Sequence, residues 1–122
     1  MNKNKVMFDY DYKGDSLFIY SIEPYDYEVS LELNNDVILD FDTKNQPVAF
    51  EFLNASKIFN LDKNYFKNLV KISIQSKITE ECIRLKVQLY ALIHNKNQIF
   101  DVNRITTNLN HIPNFETELI SV

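Results

Sequence analysis

Three acids crowd the single glycine of the chain: Asp9, Asp11 and Asp15 stand around Gly14. Acids at the first, third and seventh positions of a loop, with glycine at the sixth, are the opening of a helix–loop–helix calcium site. The pattern then breaks where an ion needs it most. Lys13 holds the fifth position and Tyr20 the twelfth, where a bidentate glutamate belongs, and the flanks alternate as strands do. The expected role of these acids is therefore turn formation and solvent contact. A second group, Asp40, Asp42 and Glu51, comes together if its two strands pair across the intervening turn. With Asp11 and Asp15 it forms the candidate cluster for a hard cation, or for a carboxyl of raised pKa in acid–base work. The plainer expectation is that Asp40 and Asp42, alternating with Leu39 and Phe41, line a solvated face. No paired nucleophile and base completes a catalytic picture, so no catalytic, metal-ligating or cofactor-binding residue is assigned.

The remaining reactive side chains are sparse. Cys82 and His94 share strand parity, but twelve residues of extended chain hold them about 40 Å apart, too far for a dyad. His111, near Pro113, has no local acid or cysteine at ligand spacing and reads as a surface or packing histidine. One cysteine excludes an internal disulfide and a multi-cysteine zinc site. Seven tyrosines and nine phenylalanines exceed what a one-faced sheet can bury, so some aromatics are expected at an interface, Tyr10, Tyr12, Tyr20 and Tyr27 among them.

The net charge of −4 is unevenly spread: residues 1–61 carry −6 and residues 62–122 carry +2. Two arginines and no clustered basic run argue against a phosphate-backbone partner, so nucleic acid is not expected. No apolar stretch approaches the roughly 20 residues that span a bilayer, and the polar opening Met1-Asn2-Lys3-Asn4-Lys5 runs into an alternating segment rather than a signal core. The expectation is a cytoplasmic protein with no membrane partner.

These side chains must be positioned mainly by strands. One glycine, three prolines and no repeat leave little room for linkers, so 122 residues read as a single domain. Val6–Asp11 and Leu17–Tyr20 read as a hairpin about Gly14, with Val6–Asp11 also a candidate edge. In the segment 27–33, Tyr27, Val29, Leu31 and Leu33 share one face, with Glu28 and Glu32 on the other. Strands over 37–42 and 48–52 follow, making the first half a β-meander. Short helices are expected near 54–59 and 62–69, with Asn54 and Asp62 as N-caps. Beyond them alternation marks strands over 70–74, 83–89 and 99–105, the last with a break in phase near Asn103, and the tail around Pro113 reads as irregular or edge.

Two blocks in the first half carry a family likeness. Tyr10-Asp11-Tyr12-Lys13-Gly14-Asp15-Ser16-Leu17-Phe18-Ile19 resembles the opening of the family called domain of unknown function 2283, which has Tyr-Asp, then Asp-x-Leu, an aromatic and Ile. Val37 through Asp42 and Glu51 through Lys57 resemble its later strand with Asp-x-Asp and its closing Glu-x-Leu-x-Ala-Ser. Asn45 and Ala49 depart from the pattern, standing where the family commonly has glycine. Asparagine tolerates the left-handed conformation, so the turn at Asn45 is expected to survive. The likeness covers about residues 8–59 and implies a small meander with a short helix, 62–122 being a β-rich extension of the kind found in longer archaeal-type members. It implies no reaction and at most a partner-binding or antitoxin-like role.

The combined expectation is an α+β, mostly β fold: an antiparallel meander, one or two short helices, then further antiparallel strands. The leading function is a non-catalytic module that binds itself or another protein, most simply as a homo-oligomer through edges such as 6–11 or 99–105. The alternatives are an antitoxin-like protein that neutralises a basic partner, and a metal-binding or acid–base enzyme built on Asp11, Asp15, Asp40, Asp42 and Glu51.

Overall fold

Alternating sequences become strands wherever one face can be buried, and nine do so within residues 4–121, the part of the chain that the computed structural model describes. Met1, Asn2 and Lys3 of the polar opening lie outside the described residues. The strands are β1 (Asn4–Asp11), β2 (Ser16–Ser21), β3 (Tyr27–Leu33), β4 (Val37–Asp42), β5 (Pro47–Leu53), β6 (Leu69–Ile78), β7 (Cys82–Ile93), β8 (Lys96–Thr107) and β9 (Phe115–Ser121). Between β5 and β6 lie the one-turn helix α1 (Ala55–Ile58) and a 3-10 helix (Lys63–Asn68). All strands join one sheet in the order β3-β4-β5-β2-β1-β9-β6-β7-β8, antiparallel except where β1 runs parallel to β9. The fold is thus mostly β, as expected.

The simple meander is corrected at two places. β2 pairs with β5 instead of with β3. Burial gives the reason: Pro47, Val48, Ala49 and Phe50 are all buried, so β5 needs neighbours on both sides, whereas β3 leaves Tyr27, Glu28, Ser30 and Glu32 exposed and suits an edge. The tail around Pro113 does not stay irregular. Two residues beyond that proline β9 begins, and it inserts between β1 and β6 with Leu119 in the core. β1 is therefore an interior strand and not the expected edge, while β8 does end the sheet.

The sheet curls into a half-barrel around one apolar cluster that draws Leu17, Leu39 and Phe50 from the first half and Ile74, Val87 and Leu119 from the second. Phe59, which follows α1, and Phe66 of the 3-10 helix join the same cluster, and Phe52, Phe59, Phe66 and Tyr10 form a continuous run of ring contacts. Register shifts fall at Tyr27/Val29, Asp40/Phe41 and Leu69/Lys71. The break expected near Asn103 is absent: β7 and β8 pair without a shift from Cys82↔Thr107 to Ile93↔Lys96.

The turns show how a chain with one glycine bends so often. Nine described residues take positive φ, and every one is Asn, Asp or His, the residue types whose short polar side chains best tolerate the left-handed region. Asn45 sits at φ 63°, so the turn survives the loss of the family glycine. His94 and Asn95 form the two-residue turn between β7 and β8, and His111 turns the loop before β9.

Candidate functional site

The most connected polar group is Asp15. It follows Gly14 in the β1–β2 turn, at φ 53°. Its Oδ1 accepts the Tyr10 hydroxyl at 2.6 Å and the Ser56 backbone N–H at 3.0 Å, and its Oδ2 accepts the Ser56 hydroxyl at 2.6 Å. Its carbonyl accepts the N–H of Ala55 at 2.8 Å. Asp15 thereby caps α1 from another part of the chain. Asn54, expected to cap that helix, occupies the cap position in the left-handed conformation and makes no side-chain cap bond. Asp62 does cap the 3-10 helix as expected, accepting from the N–H of Asn64.

Burial by itself would raise the Asp15 pKa, but the bonds from Ser56 and Tyr10, with Lys63 nearby, outweigh it and hold the carboxyl below its ordinary value. The Tyr10 hydroxyl is pushed well above its ordinary value by burial and then by the bond to Asp15. Its ring stacks on Phe66 with centroids 4.2 Å apart and planes 7° from parallel. Gly14 has no positive φ; what its site demands is space, because a Cβ there would meet Asp11 Oδ2 at 2.6 Å. Asp11 in turn accepts the N–H of Lys13 through its other oxygen.

The second acidic group does not converge. Asp40 accepts the Ser30 hydroxyl at 2.6 Å on the outer face. Asp42, at the end of β4, accepts the N–H groups of Lys44 and Gln46, both at 2.9 Å, and shapes the β4–β5 turn. Glu51 accepts from Ser16 at 3.2 Å. Among the described residues no three His, Cys, Asp or Glu side chains are placed to hold a metal ion. Each carboxylate is occupied locally, and the arrangement supplies hydrogen-bond acceptors to backbone and hydroxyl groups rather than a shared cation cage.

Cys82 opens β7 and bonds with Thr79, while His94 follows its far end, so the two remain apart. Of the tyrosines expected at an interface, Tyr10 packs in the hub just described. Tyr20 stacks on Phe18 at 5.2 Å, and its hydroxyl is held above its ordinary value by desolvation and by Asp9. Tyr12 and Tyr27 are exposed; Tyr12 meets Asn64 through its hydroxyl and Lys63 over its ring. Sequence reasoning missed Asn108, which is buried and ties the loop before β9 by donating to Thr79 and Ile112 carbonyls and accepting the Ile112 N–H. Its only sequence signal is an asparagine two residues before another in a turn-rich stretch.

The Asp15 hub coincides with what similarity picks out. A family model described as "Protein of unknown function (DUF2283)" matches residues 7–56, ending on Ser56 itself. An uncharacterized protein of Methanocaldococcus jannaschii is 43% identical over 96 residues, which are 78% of this chain and 81% of that one. A Methanosarcina mazei protein named putative hypoxanthine phosphoribosyltransferase is 32% identical over 105 residues, 86% of this chain and 82% of that one. No solved structure matches. The motif residues Tyr10, Asp15, Ser16, Glu51 and Ser56 bond mainly to one another, so the conspicuous part of the motif holds the fold together.

Proposed function

Starting from the fact that the chain belongs to the DUF2283 family of proteins of unknown function, we propose that it is a non-catalytic module that self-associates through the β8 edge. The observation that carries this reading is the first half of that strand. Lys96 to Ile99 are exposed on both faces, β8 has no strand neighbour beyond β7 among the described residues, and Ile99 is 54% exposed. Beside it on the outer face Leu92 and Val70 are also exposed, so an apolar patch borders a row of unpaired backbone groups. An edge of this kind pairs readily with another strand, and a second copy offers the same edge with two-fold symmetry.

The transferase name of one relative does not guide this reading. Phosphate-binding loops of nucleotide enzymes rest on glycines at a helix N-terminus, and the single glycine here lies between two antiparallel strands. Nor does an observation favour the metal or acid–base alternative, since Asp15, Asp40, Asp42 and Glu51 each already serve a local bond.

Light scattering across a dilution series tests the proposal. A dimer in the wild type that becomes monomer in Ile99→Lys supports it, and a wild type that stays monomeric at tens of micromolar overturns it.

A further inference from the structure

The outer face of the second-half sheet carries a feature separate from the β8 edge patch. Two rows of outward side chains cross β9, β6, β7 and β8 side by side. One row is Glu116, Lys77, Arg84 and Ile105; the other is Glu118, Gln75, Lys86 and Asn103. Between them runs a trough of about 620 Å³, in the range of small-molecule sites. Ser76 and Leu85 beneath it turn their side chains into the core and leave backbone as its floor. Four strands place its ends about 14 Å apart.

The charges along the trough are ordered. The β9 end carries two glutamates, and the centre carries three cations on two adjacent strands. Lys77 and Arg84 stand directly opposite each other, an arrangement that costs stability unless an anion lies between or beside them. Lys77 has Glu116 as its other cross-strand neighbour, whereas Arg84 is flanked by Lys77, Ile105 and, two residues along, Lys86. Among the described residues Lys77, Arg84 and Lys86 make no ion pair; the arginine that does so is Arg104, on the other face.

We propose that this trough is a binding site for a small organic anion. Its phosphate or carboxylate group is held by Arg84 and Lys86, with Lys77 beside them. Hydroxyl or amino groups at its other end donate to Glu116 and Glu118. Arg84 brings the planar fork that suits either oxyanion, and the acidic end selects against ligands that are anionic throughout. The proposal does not depend on self-association.

Backbone amide NMR titration at constant ionic strength tests it, with glucose 6-phosphate, gluconate and uncharged glucose as probes. Saturable shifts centred on Ser76, Arg84 and Leu85 are expected with at least one of the two anions, and which anion binds tells a phosphate ligand from a carboxylate one. The double variant Arg84→Gln/Lys86→Gln, at exposed positions, should keep a folded spectrum and bind roughly tenfold or more weakly. Lys44→Gln, on the β4–β5 turn, should bind as the wild type does. The proposal is overturned if neither anion saturates in the millimolar range, if glucose gives the same shifts, or if the double variant binds as tightly as the wild type.

Discussion

Arg104 on β8 reaches Asp36 in the β3–β4 turn with two parallel bonds, Nη2 to Oδ2 at 2.8 Å and Nε to Oδ1 at 3.2 Å. The residues stand 68 positions apart in sequence, and they clasp the two ends of the nine-strand order. The half-barrel therefore has a polar latch where its edges approach without pairing. Both side chains are partly exposed, 21% and 28%, so solvent screens the pair. A double-mutant cycle of Arg104→Met and Asp36→Asn is expected to give a coupling of about 1 kcal/mol by urea unfolding. Amide exchange should speed up most in the β3–β4 hairpin; a coupling near zero would mean the curl holds without the latch.

The Asp15 hub predicts a contrast between acids. Asp15→Ala removes three side-chain bonds, one of them the cap of α1, and is expected to cost about 3 kcal/mol. Asp40→Ala, losing one exposed bond to Ser30, should cost about 0.5 kcal/mol. Chemical denaturation of both variants measures the difference, and equal costs would contradict the hub.

The pH dependence follows in sign. Asp15 is held below its ordinary pKa when folded, so its contribution is complete above the unfolded value near pH 4 and is lost as pH falls through the lower folded value. Tyr10 is raised, so its contribution is complete below about pH 10 and declines as pH rises beyond that. Unfolding free energies of wild type and Asp15→Asn should converge at strongly acid pH, because protonation then removes what the variant already lacks. A constant gap from pH 7 to pH 2 would count against this.

Two buried serines should respond in opposite directions. Ser76 Oγ is buried with no hydrogen-bond partner among the described residues, whereas Ser121 Oγ accepts the N–H of Ile72 at 2.8 Å. Ser76→Ala is expected to be neutral or to stabilise by up to about 1 kcal/mol, and Ser121→Ala to destabilise by about 1–2 kcal/mol, since it strands a buried N–H. Thermal melts of the pair give the signs directly.

Local pattern determined much of this protein. Local pattern located the strands up to β8: alternation marked those such as Tyr27 to Leu33, because a period of two is written within six or seven residues, and turn residues bounded runs such as Leu17 to Tyr20. Turn chemistry was equally local: Asn45 and Asp62 act where their residue types indicated. The tertiary structure alone decided which strand lies beside which. Alternation says which residues share a face but not what covers it, so β2 beside β5 and β9 between β1 and β6 followed from burial of the whole sheet. The same limit hid the hub. Asp15 and Ser56 are 41 residues apart, and their types suit a solvent-facing turn and an ordinary helix start until folding brings an unfilled helix cap to an unpaired carboxylate.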